Sequence, residues 1–157
     1  MNASAGNGAA ETGAAQTAAS TERPAASVLI VDDDPMVCVA IEVCLQRQGF
    51  DVTVADGSEA GMRALDQATF DVMLVDVFMP HMRGFEAIRI FHERAPDIPV
   101  IAMSGYDFAN ADRAPDFLRM TIELGASACL RKPFTPQALV AAVNECLAKS
   151  APSARLS

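Results

Sequence analysis

Short apolar runs without charge alternate along the chain with longer stretches in which apolar residues recur every three or four positions. Val28–Val31 and the apolar parts of Asp71–Asp76 and Ile98–Ser104 have the length and uniform apolarity of strands buried on both sheet faces. Asp51–Ala55 and Ser127–Leu130 complete the set of strands. Between them the spacing predicts helices over Pro35–Gln48, stopped by Gly49, over Ser58–Ala68, and over Gly84–Arg94, ended by Pro96. A short helix, Asp116–Leu124, is closed by Gly125, and a last one is capped by Thr135 and runs to Lys149. Tyr106–Pro115 reads as loop.

Strands alternating with helices are repeated βα units, and right-handed crossovers then make the sheet parallel with helices on both faces. The expected fold is a doubly wound α/β domain with a five-stranded sheet. In the strand order 2-1-3-4-5 the chain reverses direction between the first and third strands. The carboxyl ends of those two strands carry Asp32, Asp33 and Asp76. Residues 1–26 are almost entirely small and polar, which predicts a disordered tail before a folded unit at 27–149, and 150–157 reads as a flexible end.

Composition narrows the function. With 157 residues, 51% of them hydrophobic, the chain can bury the core of a single domain. A net charge of -8 offers no basic stripe for a nucleic-acid backbone. No basic n-region precedes an apolar segment and no long uncharged apolar run exists, so neither a signal peptide nor a membrane span is expected, and the cytoplasm is the default compartment. The four cysteines, Cys38, Cys44, Cys129 and Cys146, lack C-x-x-C spacing, which speaks against zinc and redox chemistry. His81 and His92 read as solvated residues.

Three carboxylates crowded at one crevice repel each other unless a cation sits among them. Hard oxygen donors suit Mg2+. Ser104 and Lys132, at the ends of the fourth and fifth strands, add a hydroxyl and a positive charge. Such a set can stabilise a transferring phosphoryl group, with a carboxylate as nucleophile. Each residue alone has a plainer reading: a strand-end Asp such as Asp76 often caps a helix, and Lys132 by itself would be a solvated lysine. Their joint occurrence favours chemistry. Asp34, directly before Pro35, reads as the cap of the first helix.

The segments V-L-I-V-D-D-D-P, L-V-D-V-F-M-P-H-M-R-G, V-I-A-M-S-G and C-L-R-K-P-F together resemble the receiver domain of two-component response regulators, over roughly Ser27–Lys149. The resemblance implies the flavodoxin-like, CheY-like topology, with Asp76 as phospho-acceptor. It also implies Asp33 as direct Mg2+ ligand, Asp32 acting through water, and Phe78 giving a backbone carbonyl to the metal. Ser104 would bond the phosphoryl group, Lys132 would pair with it, and Lys132–Pro133 would be cis. The partner would be a sensor histidine kinase or histidine phosphotransferase, and the protein would catalyse only its own phosphorylation and dephosphorylation. Phe78 and Tyr106 would overhang the acyl phosphate and slow its hydrolysis.

Three departures stand out. Cys129 occupies the place where such domains carry an aromatic switch residue. The interval from Ser104 to Gly125 is long and contains Pro115, which predicts a displaced or shortened fourth helix. Nothing resembling a DNA-binding or enzymatic output domain follows Lys149, so a stand-alone receiver is expected. Two other classes compete. A haloacid-dehalogenase-type hydrolase would carry D-x-D after the first strand, and a flavodoxin-type electron carrier would need a phosphate loop where three acids stand. A degenerate receiver serving only as a binding module would lack phosphorylation residues that are present here.

The first helix is too apolar for an ordinary surface helix. Its core stripe should be Val37, Ala40, Ile41, Cys44 and Leu45. Met36, Val39 and Val43 then face solvent as a candidate docking row for the kinase or phosphotransferase.

Overall fold

The structure is a computed structural model, and it describes residues 25–79, 86–105 and 114–156. Its strands are β1 (Ser27–Val31), β2 (Asp51–Ala55), β3 (Val72–Asp76), β4 (Val100–Ser104) and β5 (Ala128–Arg131). All pair in parallel in the order β2-β1-β3-β4-β5, as expected. The helices among the described residues are α1 (Pro35–Arg47), α2 (Ser58–Gln67), α3 (Glu86–Arg94), α4 (Ala114–Glu123) and α5 (Pro136–Leu156).

Alternation of side chains along the central strands splits the core into two layers. Val28, Ile30, Val72, Leu74, Ile101 and Met103 point to one face, where Ile41 and Leu45 of α1 and Leu139 and Val143 of α5 cover them. Leu29, Val31, Met73, Val75, Val100 and Ala102 point to the other, under Leu65 of α2 and Ile88 and Phe91 of α3. β1, β3 and β4 are buried along almost their whole length because both faces are covered. β2, on the sheet edge, is mostly exposed. Gly61 lets α2 approach closely: a Cβ there would lie 2.8 Å from the Phe91 ring and 3.0 Å from Val31.

Local signals act largely as anticipated. Asp34 caps α1, its Oδ1 accepting from the Met36 N–H at 2.9 Å, and Gly49 follows that helix with φ 91°. The Thr135 hydroxyl accepts from Ala138 N–H at 3.0 Å at the start of α5. The Lys132–Pro133 peptide is cis. Asp71 lies just before β3 rather than in it, and its carboxylate accepts from Ser27 N–H at 2.8 Å.

Four expectations need correction. In α1 the buried stripe is Cys38, Ile41 and Leu45, while Ala40 is exposed and Val37 and Cys44 are half-buried. The helix is turned so that the Cys38 thiol reaches the Asp32 carbonyl at 3.2 Å. Met36, Val39 and Val43 do face solvent, at 77%, 56% and 43% exposure. Second, α4 spans Ala114–Glu123 and so includes Ala114 and Pro115, ahead of the predicted start at Asp116. Pro115 falls in its first turn, where a missing N–H costs no helical hydrogen bond. Third, α5 continues past the predicted end at Lys149 to Leu156. Fourth, His92 is half-buried, with its ring packed over Gly125, where φ is 117° and a Cβ would lie 2.4 Å from the imidazole. The 1–24 tail, His81, the start of the third helix at Gly84, and Tyr106 lie outside the described residues.

Candidate functional site

Parallel strands in register bring their carboxyl ends level at one edge of the sheet. There β1 runs into Asp32 and Asp33, β3 ends on Asp76, β4 ends on Ser104, and Lys132 follows β5. Asp32, Asp76 and Ser104 are buried, and Asp33 is exposed. One carboxylate oxygen from each of Asp32, Asp33 and Asp76 lies within 4.8 Å of the others. The acids expected to converge therefore do so.

Lys132 reaches into this cluster. Its Nζ donates to Asp32 Oδ2 at 2.6 Å and lies 3.4 Å from Asp76 Oδ1. The other Asp32 oxygen accepts from Asp34 N–H at 2.9 Å, and Asp76 Oδ1 accepts from Phe78 N–H at 3.3 Å. Burial lowers the Lys132 pKa, but its contacts with Asp32 and Asp76 outweigh that and leave it raised. Asp76 is also raised, by burial first and by the Asp32 charge second, with Lys132 and the Phe78 N–H only partly offsetting them. The carboxylate at the centre of the site is therefore more basic than an ordinary Asp.

The donor set fits a hard divalent cation. Three carboxylates share the compensation of a single lysine, and their oxygens are close enough to bind one ion. Beside the cluster a cleft of about 390 Å³ is lined by Asp33, Asp56, Ser58, Glu59, Arg63 and Met79. The Phe78 side chain, two residues past Asp76, is 43% exposed. A basic carboxylate flanked by a lysine and a cation-binding pair of acids suits attack on an electrophile that carries spread negative charge.

Sequence reasoning missed two connections. Lys132 lies closer to Asp32 than to Asp76, a choice that spacing along the chain does not encode. Ser104 and Thr121 both act on the Cys129 thiol, offsetting part of the rise that burial causes in its pKa, and Thr121 carries no signal in the motifs; an isolated polar residue on the inner side of a short helix is the signal that points to it.

The response regulator receiver domain family is matched over residues 28–144. The chain is 31% identical over 125 residues to a CpxR-homologue transcriptional regulatory protein of Haemophilus influenzae, covering 79% of this chain and 51% of that one. It is 34% identical over 116 residues to the response regulator protein FleR of Pseudomonas aeruginosa, covering 74% of this chain and 23% of that protein. The chain thus spans about half or less of the length of these curated relatives. Among solved structures it is similar to a receiver domain protein of Clostridium thermocellum, with TM-score 0.69, 28% identity and coverage of 79% and 95%. A CheY-like receiver domain protein of Methanospirillum hungatei gives TM-score 0.71, 25% identity and coverage of 80% and 96%. The acidic cluster at the strand ends, the order of the sheet and these matches agree, and the chain belongs to the response regulator receiver domain family.

Proposed function

We propose that the chain accepts a phosphoryl group on Asp76 from a histidine kinase or histidine phosphotransferase and passes on the signal through the phosphorylated state. The observation that carries this reading is the packing of Asp32, Asp33, Asp76 and Lys132 into one cluster. An Asp76 oxygen attacks phosphorus as the phosphohistidine N–P bond breaks, giving an acyl phosphate and returning the electron pair to the imidazole. The raised pKa of Asp76 makes it a better nucleophile. Lys132, already 3.4 Å from Asp76, offers its ammonium to the incoming phosphoryl oxygens, and Ser104 offers a hydroxyl from the next strand. Asp32, Asp33, Asp76 and the Phe78 carbonyl would hold Mg2+, which would neutralise the charge of the phosphoryl group.

The docking surface follows from α1. Its exposed Met36, Val39 and Val43 neighbour an apolar groove of about 380 Å³ lined by Val37, Ala40, Ile41, Lys132, Pro133 and Phe134. Further grooves along the seam between α1 and α5 involve Cys44, Pro136 and Leu139. A helical hairpin of the donor lying along this seam would bring its phosphohistidine to the strand ends. Among the described residues no helix is long and apolar enough to cross a membrane. A net charge of -8 and a pI near 4.6 favour protein over nucleic acid as the partner. Intact-mass measurement after incubation with acetyl phosphate and Mg2+ tests the reading: a single added phosphoryl group supports it, and an unchanged mass overturns it.

A further inference from the structure

Between β1 and α1 the chain presents one acid inward and the next outward: Asp32 is fully buried and Asp33 is exposed. The backbone bonds of this turn fall on either side of Asp33. Before it, the Asp32 N–H donates to the Ala55 carbonyl at 3.1 Å and prolongs the pairing of β1 with β2. After it, the Asp34 N–H donates to Asp32 Oδ1 at 2.9 Å, and the Asp34 carbonyl accepts from Cys38 N–H at 3.1 Å. The direction of the short Asp33 side chain is then set by the peptide that joins it to Asp32. That peptide is held by a side chain. The Cys38 thiol, one turn into α1, donates to the Asp32 carbonyl at 3.2 Å. A carbonyl oxygen only accepts, so the proton is the thiol's. Cys38 is 4% exposed, within the layer of Val28, Ile30 and Ile41, and has no water to turn to. Burial first, and the Asp32 charge second, raise its pKa to about 11, which suits a donor and neither a nucleophile nor a metal ligand.

We propose that Cys38 is a positioning residue for the cation site: its thiol pins the Asp32–Asp33 peptide and so aims the Asp33 carboxylate at the place where Asp32 and Asp76 converge. The inference rests on the acidic cluster being a Mg2+ site. The three carboxylates repel one another, and the exposed one is the one that can retreat into solvent. A tied peptide opposes that retreat. Mg2+ tolerates little departure from octahedral geometry, so a peptide left free to rotate weakens its binding. Groups that orient a metal's ligands are commonly worth about tenfold or more in affinity, and a thiol is a weak donor, so about three- to tenfold is expected here.

The test is a Mg2+ titration of the full chain at room temperature, followed by amide NMR shifts, with hydrogen exchange of the Asp34 N–H measured in EDTA on the same preparations. Cys38→Ala and Cys38→Val, which remove the donor, should raise the Mg2+ Kd by that factor and quicken the Asp34 exchange. Cys38→Ser, which keeps a donor, should hold both near the values of the unmodified protein. A cysteine that only fills the core would lower the Tm of Cys38→Ala and leave the Mg2+ Kd of the folded protein where it was. An unchanged Kd in Cys38→Ala and Cys38→Val, or a Kd in Cys38→Ser raised as far as theirs, overturns the inference and leaves the metal reading standing. If the unmodified protein takes up no Mg2+, the metal reading fails and this inference fails with it. Should Cys38→Ala not fold, Cys38→Val, which keeps the volume, decides by the same two outcomes.

Discussion

Replacing Asp76 by Asn should stabilise the metal-free protein, the opposite of what removing a buried, lysine-paired group would ordinarily do. At 3.4 Å the Lys132–Asp76 attraction amounts to ~5 kcal/mol at an effective dielectric constant of about 20. Against it stands a repulsion of at least ~3.5 kcal/mol from Asp32, whose oxygen lies within 4.8 Å, and a smaller, solvent-screened one from exposed Asp33. These nearly cancel. What remains is the desolvation of a carboxylate that is 5% exposed, the largest influence on its raised pKa. In Asp76→Asn the cost of burying that charge disappears while Lys132 keeps Asp32 at 2.6 Å. The expected gain is about 1–2 kcal/mol, or about 3–6 °C in Tm for a domain of this size. Because the folded-state pKa of Asp76 lies above its unfolded value, the folded protein holds the extra proton between the two. Metal-free stability of the unmodified protein therefore falls as pH rises through that window, and the gap to Asp76→Asn closes in acid. Mg2+ reverses the order: at a hundred times its Kd it stabilises the unmodified protein by about 2.7 kcal/mol, and it binds the two-carboxylate variant less tightly. Thermal unfolding in EDTA and across a Mg2+ titration measures all of this. A lower Tm for Asp76→Asn in EDTA, or equal Mg2+ shifts in the two proteins, would refute the electrostatic account.

Three further outcomes follow from particular residues. Met36→Lys, Val39→Glu and Val43→Lys together should reduce phosphotransfer from the cognate kinase by roughly a hundredfold, at about 1 kcal/mol for each apolar side chain withdrawn from the interface, while acetyl phosphate labelling and the melting curve stay unchanged; surviving transfer would move the docking surface elsewhere. Phe78→Asn should speed loss of the phosphoryl group several-fold, since the half-exposed Phe78 side chain springs from the residue whose N–H bonds the Asp76 carboxylate, and an unaltered half-life would show that the ring does not obstruct water. Gly61→Ala, which in an open helix would gain about 1 kcal/mol, should here lose about 1–2 kcal/mol in urea unfolding, because the new methyl meets the fully buried Phe91 ring at 2.8 Å; a higher midpoint would mean that this ring can move aside.

The fold was legible where burial is two-sided. β1, β3 and β4 are nearly uninterrupted apolar runs, and such runs leave little choice but a covered parallel sheet. The acids were legible because each follows such a run directly. The rotation of α1 was not, since Met36, Val37, Cys38, Val39, Ala40 and Ile41 put apolar groups on every side and the pattern cannot select a face. Pro115 was read as a breaker although a first-turn proline suits a helix, and only the position of α4 distinguishes the two. The seat of His92 over Gly125 and the preference of Lys132 for Asp32 are contacts between distant segments, for which no local signal exists.

The central claim is that Asp76 is the residue that takes the phosphoryl group. Site-resolved mass mapping after acetyl phosphate and Mg2+ treatment tests it most directly, comparing the unmodified chain with Asp76→Asn and with a sample in EDTA. The account predicts one hydroxylamine-labile phosphoryl group, on Asp76, absent from the variant and from the EDTA sample. Undiminished, metal-independent labelling of Asp76→Asn, or a label on any other residue of the unmodified chain, would contradict it.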